Sequence, residues 1–186
     1  MTLAQRLVEI HRALARRRIP HAFGGAIALA FWTVEPRGTR DIDVNVFVDA
    51  EDCERVLRVL PAGIDQPPGT ADRIRRDGQI RLWWDDTPVD LFFDYDPVHA
   101  DAARHRQTVP FEGTRIPILA ATELAVFKVM FDRTQDWADI EAMVAAGTLD
   151  VDAVRATLRR MLGADDPRFA RLDDAVEKGT RAADSP

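Results

Sequence analysis

Two runs of strand-forming residues carry aspartate where an apolar side chain is expected. Asp41-Ile42-Asp43 opens the run Val44-Asn45-Val46-Phe47-Val48, and Asp90 interrupts Val89-Asp90-Leu91-Phe92-Phe93. Side chains two apart in a strand point to one face, so Asp41 and Asp43 stand together at the mouth of an apolar strand. Two carboxylates so placed repel each other, and a cation should compensate them. Mg²⁺ is the natural candidate, because it favours a few carboxylates combined with phosphate oxygens. A third carboxylate from a neighbouring strand would complete a two-metal site, with ions ~3.5–4 Å apart. Asp90 is placed to supply it, with Asp94 on the same strand face as its rival. The plainer reading of Asp90 is a structural ion pair with an arginine.

The rest of the chain supplies strands and helices around these runs. Leu3, Leu7, Ile10 and Leu14 recur at helical spacing, with Gln5, Arg6, Glu9, Arg12 and Arg16 on the other side. Pro20 ends that helix, and Arg16-Arg17-Arg18 compensates its C-terminal dipole. A short strand, His21-Ala22-Phe23, runs into Gly24-Gly25. A nearly all-apolar helix is expected over 26–34, a loop over 35–38, and a helix over 50–60. Residues 61–69, rich in proline and glycine, read as a loop. A short basic helix is expected over 71–76. Strands over 79–84 and 88–93 are joined at Asp85-Asp86-Thr87. Pro97 opens a helix to about residue 106. Strands over 108–111 and 114–118 flank Glu112-Gly113, a hairpin signal. From Ala120 onward the pattern is helical, over 122–131, 134–146, 151–162 and 167–178, with a frayed tail from Ala182. Gly147 and Gly163 sit where C-terminal caps belong. The hairpins predict a mixed sheet. The expected organisation is an α+β core over 1–118 with a helical part over 119–186 packed on it.

Composition narrows the function. The chain has 186 residues, 46% of them hydrophobic, which is ample for a core. Its 25 basic and 31 acidic residues give a net charge of −6, so a general basic footprint for nucleic acid is missing. The single cysteine, Cys53, excludes an intrachain disulfide and a cysteine-rich zinc site. The four histidines show no metal-ligand spacing. No segment reads as membrane-spanning or as a signal peptide, and a cytoplasmic location is expected. Trp83-Trp84 reads as core and rim packing rather than a base-stacking platform. Arg73, Arg75, Arg76 and Arg81 form a basic cluster beside the acidic site, read as a solvated face in preference to a substrate-phosphate contact.

The runs His21-Ala22-Phe23-Gly24-Gly25-Ala26-Ile27-Ala28-Leu29-Ala30, Arg37-Gly38-Thr39-Arg40-Asp41-Ile42-Asp43-Val44 and Val89-Asp90-Leu91 resemble the nucleotidyltransferase (polymerase β-like) fold superfamily. The Arg-x-Thr-x-Asp-Ile-Asp run is similar to abortive-infection toxin-type members, and small antibiotic-modifying and minimal nucleotidyltransferases are similar too. The resemblance covers about residues 20–145. It implies a mixed sheet flanked by helices, with transfer of a nucleoside monophosphate from a nucleoside triphosphate such as ATP to an acceptor hydroxyl. The acceptor would lie on RNA, as for a toxin of a toxin–antitoxin pair with a cognate antitoxin protein, or on a drug or metabolite. A non-enzymatic nucleotide-binding or partner-binding module is the third reading, which retention of three carboxylates disfavours.

On this resemblance Asp41, Asp43 and Asp90 are both the catalytic residues and the ligands of Mg²⁺ or Mn²⁺. Gly24, Gly25 and the following helix N-terminus would cradle phosphate, since a backbone without Cβ atoms admits close approach. Many members have Gly-Ser where this chain has Gly24-Gly25, so a hydroxyl is missing and backbone N–H groups would replace it. Lys128, with Arg133, Asp136 and Asp139, resembles the Lys/Arg–Asp helix of toxin-type members, which places the lysine near the triphosphate. A lysine snorkelling from a helix edge is the alternative.

Overall fold

The computed structural model describes residues 1–94 and 97–184. It forms two units. The first comprises Met1–Ile27 and Gly38–Leu119, the second Ala28–Arg37 and the chain from Ala120 onward. Residues 28–37 group with the helices from Ala120 onward rather than with the sheet.

In the first unit, α1 (Leu3–Arg16) starts with a capping box. Thr2 Oγ1 accepts from the Gln5 N–H and the Gln5 side chain accepts from the Thr2 N–H, pairing two of the donors that a helix start leaves open. Leu7, Ile10 and Leu14 are fully buried, each contributing about 1.5–3 kcal/mol. Arg6, expected on the polar side, is buried as well. Its guanidinium donates to Asp85 at 2.7 Å, Asp86 at 3.1 Å and the Thr87 hydroxyl, and it lies over the Trp84 ring.

Among the described residues seven strands form one sheet: β1 (His21–Phe23), β2 (Ile42–Asp49), β3 (Ile64–Asp65), β4 (Gln79–Trp84), β5 (Thr87–Asp94), β6 (Gln107–Phe111) and β7 (Thr114–Ile118). Their order is β3-β4-β5-β2-β1-β7-β6. β2 runs parallel to β5 and β1 parallel to β7, while the other pairs are antiparallel. The sheet is mixed, as the hairpins predicted. Glu112 and Gly113 both take positive φ, 44° and 71°, as a two-residue turn between twisted strands requires. The helices of this part are α3 (Cys53–Leu57), α4 (Thr70–Asp77) and α5 (Pro97–His105), while α2 (Gly25–Leu29) begins in it and ends in the second unit.

Three local expectations change. The helix expected over 26–34 stops at Leu29, because the Phe31 and Trp32 N–H groups bond back three residues to Ala28 and Leu29, and the Thr33 hydroxyl takes the Leu29 carbonyl again. Such tightening ends a helix. The one expected over 50–60 is a 3₁₀ turn, Ala50–Asp52, capped by Asp49, followed by the short α3. The segment read as a loop contributes β3, whose two residues are too few to show a period.

His21 on β1 is buried. Its Nδ1–H donates to the Ile19 carbonyl at 2.8 Å, which leaves Nε2 to accept from His11 Nδ1 at 3.0 Å. Burial, with the neighbouring His11 and Arg106 charges adding to it, pushes the imidazole down to about 4 from 6.5. The unfolded chain therefore binds more protons than the folded one between these values, so stability falls as pH drops through that window. A loss of about 2 kcal/mol is expected between pH 7 and pH 5. Urea unfolding at the two values checks it, and His21→Gln should flatten the difference.

The second unit holds α6 (Ala121–Phe131), α7 (Thr134–Ala145), α8 (Val151–Leu162) and α9 (Arg168–Ala183). α8 is capped by the Asp150 carboxylate, which accepts from the Ala153 N–H. α9 passes close to α7 at Gly179, where a Cβ would lie 2.6 Å from the Glu141 carbonyl oxygen. Trp137, Ile140, Met143, Val154, Leu158, Leu172 and Ala175 form the core. α9 continues to Ala183, past the expected start of the tail, and residues 185–186 lie outside those described. Among the described residues no helix is long and apolar enough to cross a membrane.

Candidate active site

Parallel pairing of β2 with β5 sets Asp43 directly against Asp90. Register partners on adjacent strands share a face, and Asp41, two residues before Asp43, shares it too. Asp41 lies just before the first residue of β2, where its N–H donates to the Thr39 hydroxyl at 3.1 Å. Asp94, the rival third carboxylate, pairs with Asp49 at the other end of β2. The register thus brings Asp90, and not Asp94, to the Asp41-Ile42-Asp43 segment.

Pairing continues the row one strand further. Arg81 of β4 is the register partner of Asp90. Its Nε donates to Asp90 Oδ1 at 2.8 Å, and Nη2 donates to Asp90 Oδ2 at 2.6 Å and to Asp41 Oδ2 at 3.3 Å. These carboxylates raise the guanidinium pKa further, the Asp90 hydrogen bond most. The other members of the basic cluster differ. Arg75 pairs with Glu51, Glu54 and Asp72, and Arg76 with Asp77. Trp84 is buried and Trp83 half-exposed, matching the core-and-rim reading. Arg81, a member of the basic cluster read from sequence as a solvated face, is the arginine that the ion-pair reading of Asp90 calls for. Its strand alternation, outward between Ile80 and Leu82, was the available signal.

The glycines meet the row from the other side. The Gly24 N–H donates to the Asp43 carbonyl at 2.9 Å, so that N–H is committed and does not replace the missing hydroxyl. Gly25 has φ +51°, and a Cβ there would lie 1.8 Å from Asp43 Oδ2. The absent Cβ therefore makes room for the Asp43 carboxylate. Gly25→Ala should cost about 1–2 kcal/mol through its left-handed backbone. It should also turn the Asp43 side chain, and misplacing a reacting group by about 1 Å can cost a hundredfold in rate. Melting temperature and transfer rate measured together should show a small loss in the first and a large one in the second.

In the helical unit, Lys128 is 3% exposed, Asp136 1% and Asp139 3%. The Lys128 ammonium donates to Asp139 Oδ2 at 2.5 Å and Asp136 Oδ1 at 3.3 Å. Arg133 holds Asp136 through Nε at 2.7 Å and Nη2 at 3.2 Å, and Arg37 holds Asp139 through two bonds of 3.0 and 3.1 Å. Burial works to raise the Asp139 carboxyl, but Arg37, Lys128 and Gln135 override it and hold it below the ordinary carboxylate range. Lys128 does not snorkel. A triphosphate contact would require its ammonium to leave two buried carboxylates, so we place it in the scaffold of this unit.

The mixed sheet with its Asp-x-Asp strand and partnered aspartate has the nucleotidyltransferase fold. Among solved structures the chain is similar to the antibiotic-resistance factor ANT(2'')-Ia, with 11% identity, a TM-score of 0.51, and coverage of 96% of this chain and 91% of that one. It is also similar to an antigenic nucleotidyltransferase-like protein from Paracoccidioides brasiliensis, with 15% identity, a TM-score of 0.44, and coverage of 91% and 92%. No family model and no curated protein matches the chain.

Proposed function

We propose that the chain is a metal-dependent nucleotidyltransferase that moves a nucleoside monophosphate from a nucleoside triphosphate to an acceptor hydroxyl. The observation that carries this reading is the register pair Asp43–Asp90, with Asp41 on the same face. Their hard oxygen donors suit Mg²⁺ or Mn²⁺. Among the described residues, however, no three acidic, histidine or cysteine side chains are grouped so as to hold a metal ion, and Arg81 bridges Asp41 and Asp90. Asp41, Asp43 and Asp90 would hold the cation, which when bound neutralises charge on the triphosphate and the attacking oxygen.

The chain's own groups then have defined tasks. The acceptor oxygen attacks the α-phosphorus, the bond to the β-phosphate bridging oxygen breaks, and pyrophosphate leaves. Asp90 helps take the proton from the hydroxyl. Gly25 and the backbone N–H groups after it are the proposed phosphate contact, since the Gly24 N–H is engaged. Catalysis is mainly positioning and charge neutralisation.

The acceptor we propose is a hydroxyl on RNA or on a small molecule. The net charge of −6 favours the small molecule, because an acidic protein gains little from counterion release on RNA. Incubation with α-labelled nucleoside triphosphates, Mg²⁺, and separate RNA, protein and small-molecule fractions tests both. Label entering the small-molecule fraction is expected. Label entering RNA would favour a toxin-type role, and label in no fraction would count against the enzyme.

A further inference from the structure

The three proposed metal ligands are not waiting as bare carboxylates. Arg81 stands beside them on β4, as the register partner of Asp90, and its guanidinium engages both Asp90 oxygens and Asp41 Oδ2. A fork that grips a carboxylate through two parallel N–H bonds is among the strongest side-chain pairings. Asp41 and Asp90 are also two of the three groups a divalent cation would need. Arginine and the cation therefore compete for the same oxygens.

We propose that Arg81 is a built-in counter-ion that must be exchanged for the divalent cation, and that the incoming nucleotide favours the exchange by offering the released guanidinium a phosphate. This inference rests on the metal-dependent reading above. The chemistry of the two partners matches the two states. In the unloaded protein the carboxylate cluster needs a positive charge, and Arg81 supplies it permanently because its proton cannot be lost. Once a cation takes Asp41 and Asp90, the guanidinium needs an anion. A planar fork suits phosphate as well as carboxylate, and the nucleoside triphosphate arrives with that group.

Half of the Arg81 side chain is exposed, so it can leave its partners without opening the core. Strand β4 carries Ile80 and Leu82 inward on either side of it, which anchors the backbone while the side chain moves. Cation binding and nucleotide binding become coupled. The cation alone must displace Arg81 and leave it without an anion, whereas with the nucleotide present the released guanidinium gains a phosphate partner. By linkage each tightens the other by the same factor.

Direct Mn²⁺ binding to the full chain tests this, read by the loss of the free-ion electron paramagnetic signal. It is measured in wild type, Arg81→Gln and Arg81→Lys, with and without a nucleoside triphosphate analogue that cannot react, each against a protein-free blank that accounts for Mn²⁺ held by the analogue's own phosphates. Without nucleotide, Arg81→Gln should bind Mn²⁺ at least about tenfold more tightly than wild type. Arg81→Lys, which keeps charge but loses the fork, should lie between them. The analogue should tighten Mn²⁺ binding strongly in wild type and much less in Arg81→Gln. A melting curve adds a second readout: Arg81→Gln should melt lower than wild type without metal and recover with Mn²⁺. If wild type binds Mn²⁺ and Arg81→Gln binds it no more tightly, Arg81 is a structural ion pair and the exchange is overturned alone. If neither protein binds Mn²⁺ with or without nucleotide, the metal-dependent reading falls, and the exchange with it.

Discussion

Asp43→Asn should reduce nucleotidyl transfer by about a thousandfold or more while the protein stays folded. Asp43 ends the row that runs from Arg81 through Asp90, flanked across the sheet by Asp90 and backed by Gly25. Asparagine keeps the shape of the side chain, so the packing against Gly25 survives. What changes is charge. One oxygen becomes an amide that carries no charge and binds a hard cation poorly. Three acidic groups on one face also repel each other, and removing one relieves part of that repulsion. The attraction between Asp43 and the Arg81 guanidinium is lost with the charge and offsets that relief, so the melting temperature without metal should change little. The stabilisation expected when Mg²⁺ is added to wild type, from binding only the folded state, should disappear. Transfer assays and melting curves with and without Mg²⁺ check both parts. A variant that transfers at the wild-type rate would remove Asp43 from the chemistry.

Lys128→Met should destabilise the protein by about 3–5 kcal/mol, the range for breaking a buried ion pair by removing one partner. The methionine fills much the same volume, so lost packing contributes little. The cost comes from Asp136 and Asp139, both nearly inaccessible to water, which lose the cation between them. Arg133 and Arg37 still engage them, which keeps the loss toward the lower end. Denaturant unfolding measures it. The double variant Lys128→Met with Asp139→Asn should recover part of the loss, because one uncompensated charge is gone with the lysine. A stability equal to wild type for Lys128→Met would mean that the ammonium contributes nothing net to this unit.

The parts of the fold that could be read from sequence are those with a long period or a distinctive substitution. α1, β4, β5 and the helices after Ala120 follow from their spacing. Asp90 stands out because an apolar strand has no use for it. Its juxtaposition to Asp43 needed the parallel pairing of β2 with β5, whose partners are some fifty residues apart and carry no local signal. Arg81 illustrates the same limit. Its alternation places it on the open face of β4, but only the register shows that it meets Asp90. Arg6 was assigned to the polar side of α1, since nothing local reveals that the turn Asp85-Asp86-Thr87 will receive it. For Gly25 the need for a missing side chain was legible, whereas the neighbour filling that space, Asp43, was not. The short α2 ends where backbone and Thr33 hydrogen bonds compete for the Leu29 carbonyl, a contest that apolar composition does not decide.

Following the label of the nucleotide through one reaction tests the central claim most directly. With Mg²⁺ and an accepting fraction, wild type should transfer label from the α-phosphate and release the γ-phosphate within pyrophosphate, and Asp43→Asn should do neither. Transfer of the γ-phosphate instead, or α-transfer that survives in Asp43→Asn, would contradict a nucleotidyltransferase centred on Asp41, Asp43 and Asp90.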